Sequence, residues 1–308
     1  MRRLYRTKVL LGALTLLLAA GLLGGCGSPP EESLESRILN RQGHAGAAAV
    51  ATSPESSLVA VLLDKGALHA FNKETGQTVC ETETLLVFPS ASPVGIYYAT
   101  WDDEDPEKFV IRLLVGDGTS KAVGELPKDA WSIVSNPSGS KLVIQNRGDT
   151  CWLMDTSTGE TERLVTERDP LWVTWLDDHV LLIGDRDSTY KATLDGGRLA
   201  NSERWENDND AFRPSVDHGS GRIAYLRSRM GLSSFFETLK GAPASSTRAN
   251  ELVVADVQTG DVIECLGVPD HVDPFDHSSQ LQWKDATHLL LVTNPGGSKA
   301  EVWEIEVP

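Results

Sequence analysis

Four acidic stretches carry most of the side chains here that could do chemistry. His271, Asp273, Asp276 and His277 put two imidazoles and two carboxylates within one short run. Those are the ligand types of a metal site, or alternatively loop side chains pointing in different directions. Asp102, Asp103, Glu104 and Asp105 lie together before Pro106 and Glu107, without the alternation and fixed glycine of a calcium loop. Asp208 and Asp210 alternate over a short stretch, and Asp185 and Asp187 flank Arg186. The sequence has no Gly-x-Ser-x-Gly, Walker loop, His-Glu-x-x-His or Cys-x-x-Cys. Nucleophile, phosphate-cradle and redox signatures are therefore missing, and the reading is a non-enzyme with no cofactor.

The charge balance narrows the partners. There are 44 acidic and 28 basic side chains in 308 residues, a formal net charge of −16. Such a chain is a poor nucleic-acid binder, since phosphate contact needs clustered Lys and Arg. Four cysteines in this length exclude a disulfide-dense scaffold.

One cysteine has a distinctive setting. Arg2, Arg3, Arg6 and Lys8 precede an apolar run, Val9 to Leu23, interrupted only by Thr15. The run is shorter than the ~20 residues of a spanning helix. It ends in Leu23-Gly24-Gly25-Cys26, which resembles the lipobox of bacterial lipoprotein signals. That resemblance implies removal of residues 1–25 and diacylglyceryl attachment at the Cys26 thiol. The remaining 283 residues then hold 44 acids against 24 bases, a net −20. Acyl chains at Cys26 would anchor the protein without a transmembrane helix. The implied location is extracytoplasmic, on the cell membrane or the outer membrane. Residues 26–35 are rich in Pro, Ser and Glu and read as a flexible tether.

The elements that position the acidic stretches repeat along the chain. A short turn followed by an apolar run recurs at Ser53, Ser92, Asn136, Trp175 and Ser215, at spacings of 39, 44, 39 and 40, and again at Trp283 after 68. About 20 residues into a unit comes a second turn. Asn72-Lys73-Glu74-Thr75-Gly76, Asp155-Thr156-Ser157-Thr158-Gly159 and Asp256-Val257-Gln258-Thr259-Gly260 are its clearest copies. Asn or Asp opens such turns by bonding nearby backbone, and Gly closes them with a positive φ. The apolar runs are short, rich in Val, Ile, Leu and Tyr, and lack helical periodicity.

A unit of ~40 residues with two hairpin turns reads as a propeller blade. From about residue 45 onward, the Ser-Pro-Glu, Asn-Pro-Ser-Gly and Asp-x-x-Thr-Gly turns resemble TolB-like and WD40-like propellers of the bacterial envelope. The segment Ala67 to Gly76 also resembles a quinoprotein-type repeat, in which a Trp usually stands where this chain has Cys80. The expectation is an all-β, six-bladed propeller over residues 36–308, with seven blades as the alternative. Each blade has strands a to d from centre to rim. The chain ends on a strand c, so residues 36–41 should supply the missing rim strand of the last blade.

This scheme sorts the loops. The acidic stretches fall in b–c and d–a loops, all on one face. They form either a docking surface for a basic envelope protein or cationic ligand, or solvated loop tips. The long fifth unit carries an insertion at 228–250. Its Met230, Leu232, Phe235 and Phe236 would make a helical turn over the channel, an apolar docking patch, or a mobile loop packed on its own blade. Cys80 and Cys265 should sit on rim strands of non-adjacent blades, too far apart to bond, and Cys151 should be buried. The eight Trp near strand ends should serve blade packing. The leading functional expectation is a lipid-anchored binding or scaffolding module. A propeller lyase or quinoprotein-like enzyme, or a ligand sensor, acting at the central channel is the alternative.

Overall fold

The structure is a computed structural model. It describes residues 32–33, 37–43, 45–105, 107–146, 150–166, 170–185, 189–205, 212–230, 248–269, 281–293 and 298–308. Two strands come first, β1 (Glu32–Ser33) and β2 (Ile38–Gly43). Blade 1 holds β3 (Ala47–Ala51), β4 (Leu58–Leu63), β5 (Ala67–Asn72) and β6 (Thr78–Glu83). Blade 2 holds β7 (Ser90–Ser92), β8 (Gly95–Trp101), β9 (Phe109–Leu114) and β10 (Ser120–Glu125). In blade 3 they are β11 (Ala130–Ser135), β12 (Lys141–Asn146), β13 (Cys151–Asp155) and β14 (Thr161–Leu164). Blade 4 comprises β15 (Trp172–Trp175), β16 (Val180–Gly184), β17 (Thr189–Asp195) and β18 (Arg198–Arg204). Blade 5 comprises β19 (Phe212–Asp217), β20 (Arg222–Met230), β21 (Arg248–Asp256) and β22 (Val262–Val268). Three strands end the chain, β23 (Leu281–Asp285), β24 (His288–Thr293) and β25 (Glu301–Glu306).

These strands make six antiparallel sheets ringed about an axis, a six-bladed β-propeller. The last sheet has the order β2-β25-β24-β23. The N-terminal strand therefore completes the final blade as expected, with Ile38 opposite Ile305 and Gly43 opposite Glu301. One pairing departs from the sequence reading. Glu32–Ser33 belongs to the stretch read as tether, yet it lies parallel to β22, with Glu32 beside Leu266. Blade 5 thus gains a fifth strand along its open edge.

The c–d turns explain themselves locally. Asn72 Oδ1 accepts the Glu74 and Thr75 amides at 3.0 and 2.8 Å. Asp256 Oδ1 takes the Gln258 and Thr259 amides, both at 2.8 Å. Gly76 and Gly260 close their turns at φ 66° and 74°, where a β-carbon is disfavoured.

The apolar core is divided among the seams between blades. Leu58, Leu68, Ile96 and Leu114 fill the seam between blades 1 and 2. Leu252, Leu281, Trp283 and Trp303 fill that between 5 and 6. Ala47, Val50, Leu290 and Val292 fill the seam where the ring closes. Crowding at the axis explains the small residues of the inner strands, such as Ala47-Ala48-Ala49-Val50-Ala51 and Ser90-Ala91-Ser92.

Hydrogen bonds lace the a–b turn face across five seams. Tyr97 donates to Gly139 O at 2.6 Å, joining blades 2 and 3. Asp178 accepts from Asn136 Nδ2 at 2.8 Å, joining 3 and 4. His218 Nδ1 meets Leu176 O at 3.2 Å, joining 4 and 5. Trp283 Nε1 donates to Ser215 O at 3.0 Å, joining 5 and 6. Lys73 Nζ donates to Ser53 O, Pro54 O and Lys284 O at 3.1, 2.9 and 3.1 Å, clasping blade 6 to blade 1.

Gly184 shows how tightly a seam is filled. It stands opposite Trp172 across β15 and β16, and a β-carbon there would lie 2.1 Å from the indole. Gly184→Ala should cost about 1–3 kcal/mol, lowering the thermal midpoint by roughly 3–10 °C. In a Trp172→Leu background most of that loss should vanish, a coupling that thermal denaturation of the double-mutant cycle measures.

Candidate functional site

Two regions of the ring can meet a ligand, the long-loop face and the central channel. On the first, β8 ends at Trp101 and passes directly into the Asp102–Asp105 loop before β9. This loop folds on its own carboxylates. Asp102 Oδ1 accepts the Glu104 and Asp105 amides at 2.8 and 3.0 Å. Those bonds hold the Asp102 carboxyl below the usual carboxylate range. Asp103 pairs with Arg112 of β9. Asp105 lies 4.0 Å from Lys108, which also sits 3.6 Å from Glu125. The loop is thus acidic but partly neutralised by cations of the adjoining strand.

Trp101 is the exception to packing as the explanation of the tryptophans. It is 42% exposed, whereas Trp175, Trp283 and Trp303 are fully buried. It is the last residue of β8, where the strand leaves the seam, and the acidic loop follows it directly in the chain. Leu86, in the loop between β6 and β7, is 53% exposed on the same face.

Asp185 ends the described part of another b–c loop, after β16. Cys26, Asp208, Asp210, Phe235, Phe236, His271, Asp273, Asp276 and His277 lie outside the described residues. The strands that lead into their loops do run as expected, β18 to β19 and β22 to β23 being d–a connections. The insertion is shorter than it reads in sequence. Ser228 to Met230 and Arg248 to Asn250 continue the hairpin, with Met230 opposite Arg248. Met230 is therefore strand, since the ladder extends beyond the blade.

A buried ion pair stands at the foot of this hairpin. Arg227 Nε and Glu251 Oε2 are 2.5 Å apart on register partners, both almost wholly buried. Arg227 Nη2 also lies 3.7 Å from Cys265 Sγ. Burial, followed by the Glu251 charge, pushes the Cys265 thiol up. Removing one partner of such a pair strands the other charge in the interior. Cys80 and Cys265 are free thiols, and Cys151 is buried.

The channel is lined by the inner strands of blades 2 to 6 and by Thr52, Ser53, Pro54 and Glu55 after the inner strand of blade 1, and encloses about 120 Å³. Its wall follows a two-residue alternation. Val173 and Trp175 turn into the seam core, while half-buried Thr174 between them lines the channel. Leu281, Gln282 and Trp283 repeat the pattern. Ser132 of β11 and Gln145 of β12, opposite each other in register, add a hydroxyl and an amide. Phe88 and Trp131 meet edge to face at 5.7 Å where the inner strands begin. Glu55 and His218 stand at the a–b mouth. This polar wall carries no catalytic motif, and its sequence signal is a polar residue at every second place in an inner strand. Among the described residues, no group of three or more His, Cys, Asp or Glu could hold a metal ion.

No protein-family model matches the sequence, and no curated protein matches it. Solved structures do share its fold. The chain is similar to Kuenenia stuttgartiensis hydrazine synthase, at 13% identity and TM-score 0.51, covering 82% of this chain and 75% of that one. It is also similar to the β-propeller domain of Cps50 (Swd1) from Myceliophteria thermophila, at 11% identity and TM-score 0.49, covering 88% and 100%. TolB from Acinetobacter baumannii gives 14% identity and TM-score 0.47, covering 83% of this chain and 62% of that one. At such identities the likeness speaks of the fold alone.

His218 gives the site a measurable pH response. Burial lowers its pKa from the ordinary 6.5, against the opposing pull of the Leu176 carbonyl, Glu55, Asp217 and Asp178. Between 6.5 and the lower folded value, the unfolded chain binds a proton that the folded chain does not. Stability should therefore fall as pH drops below 6.5. Denaturant titrations from pH 7.5 to 5 should show this slope, and His218→Gln should flatten it.

Proposed function

We propose that this protein is a lipid-anchored, extracytoplasmic binding module of the bacterial envelope, which takes a basic partner on its b–c and d–a loop face. The observation that carries the reading is the pairing of half-exposed Trp101 with the self-supported Asp102–Asp105 loop. An exposed aromatic residue that leads directly into a preorganised acidic loop is the kind of anchor on which protein interfaces concentrate affinity. The opposite face is spanned by hydrogen bonds between neighbouring blades and offers shorter connections. The loops at Asp208, Asp210, Asp273 and Asp276, and the insertion with Phe235 and Phe236, would enlarge the same surface. Their acidity would steer a cationic protein in from solution. The anchor rests on the sequence alone, on the run into Leu23-Gly24-Gly25-Cys26.

Two measurements test the reading. Cys26→Ser should move the protein from the membrane fraction to the soluble one and abolish fatty-acid labelling. Retention of both would remove the anchor. For the surface, Asp103, Glu104, Asp105 and Glu107 are changed to their amides, leaving Asp102 to fold its loop, and Trp101 is changed to Ala. With a basic partner captured from envelope extract, association should slow by about tenfold or more and lose most of its salt dependence. Unchanged kinetics in this variant and in one lacking 231–247 would place the binding surface elsewhere.

A further inference from the structure

We propose that the central channel is a binding site for one small uncharged polyol or sugar. The first ground is its unused polar groups. Gln145 is 3% exposed and Ser132 7%, and both line the cavity. Neither side chain hydrogen-bonds to any described residue. An amide offers two donors and one acceptor, a hydroxyl one donor and two lone pairs. Without protein partners, both groups facing one cavity are free to bond a molecule held within it. Half-buried Thr174 and Gln282 extend the same polar wall from blades 4 and 6.

The second ground is charge. Among the described residues that line this cavity, Glu55 and His218 are the only ionisable ones, and both stand at its a–b mouth. None of these described lining residues is Lys or Arg, so they offer an anion no counter-charge. Burial lowers the pKa of His218, which disfavours its cationic form, and its Nδ1 lies against Leu176 O. The deeper wall is amides and hydroxyls, which match the alternating donors and acceptors of a polyol.

Size and shape agree. The 120 Å³ present is several times the roughly 10–15 Å³ needed to admit one water. That leaves room for a small polyol. At the end opposite Glu55, Phe88 and Trp131 add an aromatic surface suited to the C–H face of a sugar ring.

The test uses the full chain purified in detergent, with calorimetry and thermal shift against glycerol, myo-inositol, D-glucose and trehalose. Putrescine and citrate serve as charged comparisons. At least one uncharged compound should bind at one per chain and raise the thermal midpoint. Gln145→Leu should weaken that binding by about tenfold or more. The same variant should leave the unliganded midpoint unchanged or higher, because it removes an amide without a protein partner. If it fails to fold, Ser132→Ala should give the same loss of binding. Failure of all four uncharged compounds overturns the proposal. So does binding that survives both substitutions, or binding of putrescine alone that Glu55→Gln abolishes. Loop-face variants should leave the channel affinity untouched, so the two readings fail separately.

Discussion

The whole ring rests on a strand used out of sequence order. Ile38–Gly43 is synthesised before any blade, yet it completes a sheet whose other three strands end the chain. Blades 1 to 4 are each local, four strands in succession joined by short turns. The closing strand instead joins positions about 260 residues apart, at the loop-closure cost such contacts carry. What offsets it is specific. Ile38 packs on the core between blades 5 and 6. The Arg41 guanidinium lies 4.7 Å over the Trp303 ring. Without this strand β25 would end the last blade as an unpaired edge.

Closure has a second effect, a division of labour between faces. The a–b and c–d turns are short and stereotyped, and several reach across seams to the next blade. Among the described residues, the b–c and d–a connections bond across a seam at Phe88 and Trp131, and these connections hold the acidic stretches. Length and charge are tolerated where the connecting loops bear little of the structure. The extended β20–β21 hairpin shows the same freedom, continuing past its blade from the Arg227–Glu251 pair.

Much of this was legible from residue types. The Asn or Asp opening and Gly closing each clear c–d turn marked the hairpins, because that bonding pattern is local. The blade count followed from turn spacing, and the closing strand from the chain's ending on a strand c. What escaped was whatever depends on partners far apart in sequence. The acids at 102–105 read as free charge because Arg112, which answers Asp103, sits on the following strand. Trp101 read as packing because its exposure depends on where β8 leaves the seam. The channel wall comes from single side chains on separate blades, and no motif joins Gln145 to Gln282. Glu32–Ser33 looked like linker because a two-residue strand leaves almost no pattern.

That short strand sets how the molecule would stand on a membrane. Pairing with β22 fixes Glu32 at the rim of blade 5. Six residue steps separate it from Cys26, a reach of at most about 20 Å even fully extended. A lipid at Cys26 would therefore moor the disk by one point on its circumference, close against the headgroups. Blade 5 would face the bilayer and the opposite blades the aqueous space. Both mouths of the channel could then open sideways, parallel to the membrane plane. A partner reaching the acidic face would arrive by lateral movement along the surface as readily as from bulk solution.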